Sequence, residues 1–376
     1  GYLAAGVRSA DDGFSGGGFI GVANDTHRFH VVGGGSTGND IAFEADNDRE
    51  IVSTEHERTY YGVGYGVRFA ENHELSFDFR HHDTDSAGNP SFPLDTLFFD
   101  TDRLDLAYEG KFRKAEVKAK IFYSDVEHEM SNFDLRNPPD FFTPPGAAPP
   151  PVQMAFGGTD RRGIRATADT LGIELKIAFP VAEGELTVGT DLLLNEHNAE
   201  VFDPDSAFFA ETFNDVNRDR YSVFGQWQRA FDDRWHLTTG ARYTRVSMDA
   251  GRGTAPPLPP AQRLQNRFNG SDRDRNENLF DWSVELKRDL SETLTLELGA
   301  SRKSRAPSYI ERFAWLPIEA TAGFADGNNH VGRLGLDPEV AHTVDLGLDW
   351  RGDGFYFTPR GFFRYVDDYI QGTPTN

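Results

Sequence analysis

The chain has 376 residues, no cysteine, 38% hydrophobic residues and a formal charge of −22. Without cysteine it has no disulfides, thiolate metal sites or cysteine nucleophiles, and its acidic balance argues against nucleic acid, whose partners are basic. No run approaches the ~20 apolar residues of a membrane helix, so a bilayer would have to be crossed by strands.

The predicted elements alternate between tight turns and long polar excursions. From the N-terminus, a turn at Ala23–Asp25 precedes an excursion over Gly34–Val52, and a turn at Ala70–His73 precedes one over Asp83–Asp102. Leu104, Leu106 and Tyr108 then alternate with Asp105 and Glu109 up to a turn at Arg113–Lys114. The longest excursion, Glu127–Ala166, includes a proline-rich stretch, Asn137–Val152, whose composition favours extended polyproline-like backbone. Leu171, Ile173, Leu175, Ile177 and Phe179 oppose Gly172, Glu174, Lys176 and Ala178 before the turn at Pro180–Gly184. An excursion over His197–Asp219, a turn at Phe231–Asp233 and an excursion over Met248–Asn278 follow. Phe280, Trp282, Val284 and Leu286 face away from Asp281, Ser283, Glu285 and Lys287, and the chain turns at Leu290–Glu292. After Ser304–His342, Val344, Leu346, Leu348 and Trp350 oppose Asp345, Gly347 and Asp349 up to the turn at Arg351–Gly354.

Successive strand residues face opposite sides, so each segment carries one apolar and one charged face. A soluble β-sandwich alternates too. These segments, however, run to about 10–13 residues, the length of a tilted membrane strand and above the ordinary strand of about 5–6. Aromatics gather near strand ends (Tyr60, Tyr61, Trp227, Trp235, Tyr243, Trp350 and Tyr365), as interfacial girdles require. The prediction is therefore all-β: an antiparallel transmembrane β-barrel domain over residues 1–376, in the outer membrane, with short periplasmic turns and long extracellular loops. About 15 strands are readable and the chain starts without a signal peptide, so the expectation is a partial barrel whose other strands lie elsewhere.

Four pieces near the C-terminus occur in order: Ser304–Phe313 (SRAPSYIERF), Leu336–Glu339 (LDPE), Val344–Gly347 (VDLG) and Phe362–Ile370 (FFRYVDDYI). Together they closely resemble the C-terminal barrel region of TonB-dependent receptors. Gly88–Asp102 (GNPSFPLDTLFFDTD) and Tyr123–Arg136 (YSDVEHEMSNFDLR) are also similar to that family. The resemblance implies a fragment of a 22-stranded barrel plugged by an N-terminal globular domain. It further implies import of a scarce nutrient with energy from the TonB complex, reached through a segment this sequence does not include. The outer-membrane lipid and a small-molecule or metal ligand are the other implied partners.

Tyr123–Arg136 resembles specifically the TonB-dependent copper receptors, in which a His-x-Met pair supplies two metal ligands. The pair here is His128 and Met130. Residues i and i+2 of an extended segment project to one side, and thioether with imidazole suits copper better than calcium or magnesium. No resident cofactor is implied; copper would be the transported ion. The alternatives are a siderophore or other metal-chelate receptor, a passive porin-like channel, and a soluble protein binding calcium through acidic loops. Those acids, such as Glu44–Asp48, Asp83–Asp85 and Asp203–Asp205, read as a solvated surface or as a mouth favouring cationic ligands. His81, His82, Asp83 and Asp85 read as rim polar residues, since adjacent strand histidines point opposite ways. Gly16–Gly18 and Gly33–Gly35 lack the helix a phosphate loop needs, no Ser/His/Asp group sits on a nucleophile elbow, and nothing supports an enzyme.

Overall fold

A computed structural model describes residues 1–44, 49–92, 94–138, 161–318, 330–352 and 354–374. The first strands are β1 (Tyr2–Arg8), β2 (Gly13–Ala23), β3 (His27–Gly38), the short β4 (Ile41–Glu44) and β5 (Arg49–Ile51), and β6 (His56–Ala70). Next come β7 (His73–Ala87), β8 (Asp95–Phe112), β9 (Ala115–Ser131), β10 (Gly163–Val181), β11 (Gly184–Phe202), β12 (Phe209–Ala230) and β13 (Trp235–Asp249). Helix α1 (Pro259–Asn269) precedes β14 (Arg275–Ser291) and β15 (Leu294–Arg305), and α2 (Tyr309–Phe313) precedes β16 (Glu339–Gly352), β17 (Phe355–Phe357) and β18 (Arg360–Asp367).

Apart from β4 and β5, which pair only with each other, the strands form one antiparallel meander of 16, each bonded to its sequence neighbours. β17 and β18 both pair with β16, and Thr358–Pro359 interrupts them, as a residue lacking an N–H does. Taking those two as one leaves 15 wall strands, the number read from the sequence. All seven expected tight turns separate paired strands. In the β10–β11 turn both central residues hold positive φ, Ala182 at 51° and Glu183 at 60°, the conformation that matches strand twist in a two-residue hairpin.

The register separates the two faces. Ile173 stands opposite Ile121 and Leu192, and Leu298 opposite Leu346, all on the outside. Leu346 is 50% exposed and Phe280 52%, so a broad apolar band surrounds the wall, a surface that suits lipid and not water. The inner face carries charge in linked pairs: Asp105 with Arg103 at 2.9 Å and Lys120 at 2.7 Å, Asp191 with Arg220 and Arg242, Glu297 with Lys287 and Arg360. Six of the seven girdle aromatics face outward. Tyr60 does not: it faces inward with His82, and its hydroxyl lies over Gly17 and Gly34.

The strands also run further than the apolar alternation implied. β8 has 18 residues, β10 and β11 have 19 each, and β12 has 22. The expected excursions Asp83–Asp102 and His197–Asp219 therefore shrink to residues 88–94 and 203–208. Gly34–Val52 contains the β4–β5 hairpin, and Met248–Asn278 and Ser304–His342 contain α1 and α2. Most of the proline-rich stretch lies outside the described residues, as does the tip of the Glu44–Asp48 cluster.

At the loop end, side chains from several connections close into one apolar cluster. Leu94, Phe208, Phe268 of α1, Phe313 of α2, Trp315 and the inward Ile164, Val246 and Met248 belong to it. The Trp315 ring stacks on Phe268 with centroids 5.7 Å apart, and its Nε1 donates to Thr212 O at 2.9 Å.

Candidate functional site

His128 and Met130 lie on the inner face of β9 at its loop end. His128 pairs across the ladder with Phe99 and Ala166, and Met130 with Thr96 and Ile164. The expected i, i+2 projection to one side is thus present. The His128 ring is half-buried beside Phe99, centroids 5.2 Å apart, and its nitrogens make no hydrogen bond among the described residues. Met130 packs on the margin of the apolar cluster. No group of three or more His, Cys, Asp or Glu side chains converges on a metal position among the described residues, so further ligands for an ion at this pair must come from elsewhere.

Two clamps, one buried and one more exposed, hold the strand ends around that mouth, and each is built from the quoted motifs. Asp95, fully buried, accepts Arg136 Nε at 2.6 Å, Ser53 Oγ at 3.0 Å and Asn89 N–H at 2.7 Å. It therefore joins Gly88–Asp102 to the end of Tyr123–Arg136. In the second clamp, Arg305 donates to Glu339 at 2.7 Å and to Glu311 at 2.8 Å, while Glu339 also accepts the Ile370 N–H at 2.7 Å. Glu311 closes a capping box with Ser308 at the start of α2. Although desolvation opposes it, hydrogen bonding from Arg305 and Ser308 holds the Glu311 carboxyl below its ordinary pKa. Three of the four C-terminal motif pieces thereby meet at Glu339.

The remaining histidines behave as adjacent strand residues must. His81 faces outward, its Nδ1 2.8 Å from Asp102 and its ring 4.8 Å from Tyr61. His82 faces the lumen with its ring 5.9 Å from Tyr60. Beside Tyr60 a luminal concavity of about 570 Å³ is bounded by Tyr2, Ser15, Arg58, His82 and Thr84. Gly16–Gly18 and Gly33–Gly35 lie inside β2 and β3, where small residues leave room for that concavity.

A long-stranded meander with a lipid-facing apolar band, a charged interior and an apolar cluster of side chains at its loop end defines a transmembrane barrel of the receptor type. The chain belongs to the TonB-dependent receptor-like β-barrel family, a family of outer-membrane proteins, whose model matches residues 11–376. No curated protein sequence matches it. Among solved structures it is similar to the copper transporter OprC, with TM-score 0.73 and 20% identity over 97% of this chain and 52% of that one. It is also similar to the Serratia marcescens hemophore receptor HasR, solved with HasA and heme, with TM-score 0.68 and 15% identity over 98% and 54%. The ferric yersiniabactin uptake receptor FyuA from Yersinia pestis matches with TM-score 0.64 and 10% identity over 98% and 54%. The chain spans about half the length of these structures.

The sequence signalled the His-x-Met pair and the motif order. It did not signal the Asp95–Arg136 pair, the burial of Arg312 against Glu277, or Arg218, since single charged residues in polar stretches carry no local signature of what they touch.

Proposed function

We propose that this chain is part of the barrel of a TonB-energised outer-membrane importer, with copper as its cargo and His128 and Met130 as barrel-side ligands. The observation that carries the reading is the half-buried imidazole of His128, free of hydrogen bonds among the described residues, one step along the luminal face from a thioether. A neutral imidazole beside a soft sulfur is a donor set for copper. Two ligands hold an ion weakly, so the site is completed by donors from an N-terminal globular domain of the kind the family carries. That domain also makes the contact with the TonB complex. The similarity to a copper transporter supports the reading at the level of fold.

A second reading, uptake of a siderophore or other metal chelate, is favoured by the packing of Met130 in the apolar cluster, which explains its presence without an ion.

The test is copper content of the full-length receptor purified from copper-fed cells without chelator. Copper is expected in the wild type and lost in Met130→Leu and His128→Ala at unchanged protein abundance. Met130→Leu keeps size and apolarity, so the fold is preserved while the soft donor goes. A metal-free wild type, or growth on a chelated nutrient that fails on gene deletion but not in Met130→Leu, overturns copper in favour of the chelate.

A further inference from the structure

Arg218 stands on the luminal face of β12, directly across the ladder from Met248 of β13. Its carbonyl oxygen accepts from Asn195 Nδ2 at 3.1 Å, which fixes the backbone at that level. Nearer the loop end of the same face, the His197 ring stacks on Tyr309 of α2, centroids 4.5 Å apart and planes 14° from parallel. Arg218 lies close enough to His197 to act on it electrostatically, and it shares its surroundings with Arg220, Arg305, Arg312 and Glu311.

Those three arginines are each ion-paired. Arg220 lies 3.5 Å from Asp191, Arg305 pairs with Glu311 and Glu339 at 2.8 and 2.7 Å, and Arg312 pairs with Glu277. Arg218 has no such partner among the described residues, and its Nε is buried with no acceptor. A guanidinium whose Nε is buried without an acceptor is unfavourable unless an anion meets it, and its planar fork matches two oxygens of one carboxylate.

We propose that Arg218, flanked by His197 and Tyr309, is the barrel half of an oxyanion site that takes a carboxylate. The stacked rings wall the site on the loop side, and the unpaired charge of Arg218 itself favours an anion. The carboxylate has two possible sources, a side chain of the N-terminal domain that fills such barrels or a free anion entering through the mouth. The chemistry is the same for both, and the site does not depend on His128 or Met130.

The experiment measures the melting temperature of the full-length receptor in detergent, with citrate as the probe carboxylate, for the wild type, Arg218→Gln, Arg218→Met and Arg218→Lys. Heat-modifiable migration confirms that each variant is assembled. With a carboxylate from the N-terminal domain, Arg218→Gln and Arg218→Met melt lower by about 2–4 °C. That loss is the same with or without citrate, and Arg218→Lys recovers part of it. With a free anion, the neutral variants melt at or above the wild type in plain buffer, and citrate raises the wild type alone. Arg218→Met melting at or above the wild type, with citrate moving both equally or neither, overturns the proposal. If the neutral variants do not assemble, a structure of the full-length wild type decides: a carboxylate on Arg218 supports the site, and water alone refutes it.

Discussion

Arg312 of α2 is 1% exposed and ion-paired to Glu277 on the inner face of β14, and it also donates to Leu336 O at 2.7 Å and to Met248 Sδ at 3.7 Å. One side chain therefore ties the β15–β16 connection to the wall and to the turn that leads into β16. Removing one partner of a buried pair leaves the other charged and desolvated, at a cost of about 3–5 kcal/mol. Arg312→Ala should lower the unfolding free energy of the full-length receptor, measured by urea titration in lipid vesicles, by that much. Arg312→Met with Glu277→Leu should recover most of the loss, because no buried charge is left alone. A neutral Arg312→Ala would show that the connection is not anchored there.

The two faces of β10 make a second prediction. Leu175 faces lipid, whereas Glu174 faces the lumen, 3.6 Å from Lys176. An arginine on the lipid face near the bilayer midplane costs about 2–4 kcal/mol, and much less inside. Leu175→Arg should reduce the heat-modifiable, assembled fraction far more than Glu174→Arg. Equal tolerance of the two would mean that the faces are reversed.

Gly172 makes a third. A Cβ there would collide with the Phe122 ring, which lies over the glycine on the inner face with Arg103 4.9 Å from its centroid. Gly172→Val should cost about 1–3 kcal/mol by overpacking. Adding Phe122→Ala should return part of that stability, and a double mutant no better than the sum of its singles would count against the seat.

Orientation can be tested with single cysteines, since the chain has none of its own. Lys114 lies in the β8–β9 turn and Asp272 in the β13–β14 connection. With the turns periplasmic, a membrane-impermeant thiol reagent should label Asp272→Cys on intact cells and leave Lys114→Cys unlabelled. The reverse pattern would invert the topology.

The sequence located seven tight turns because the chain reverses where the apolar alternation ends, as at Arg113–Lys114 and Pro180–Gly184, but it did not show the short β1–β2 connection at residues 9–12. It overestimated the loops for a physical reason. Beyond the bilayer both faces of a strand meet polar surroundings, so residues such as Asp83, Thr84, Asp85 or Glu196, His197 and Asn198 lose the period-2 signal while the backbone ladder continues. The two helices were legible only in part. Ser308 and Glu311 have the spacing of a capping box, but α2 is five residues long and shows no amphipathic period; α1 begins at Pro259–Pro260, which reads first as a breaker. Of the candidate site, His128 and Met130 were readable as a pair. The clamps and Arg218 were not, because their meaning lies in contacts between residues far apart in the chain, such as Asp95 with Arg136, 41 positions apart, and Arg305 with Glu339, 34 apart.

The 22 residues of β12 rise about 3.3 Å each, roughly 70 Å along the strand, whereas a tilted crossing needs only about 9–11. Together with β8 to β11, which pair with one another at the same level, it extends beyond the bilayer as a continuous stiff sheet. With the loops extracellular, a molecule approaching the cell would meet a fixed β-surface there, assembled from side chains on different strands. Antibodies raised against linear peptides from residues 197–219 should therefore bind the intact receptor poorly, and an immunogen meant to target this face has to preserve the paired hairpin.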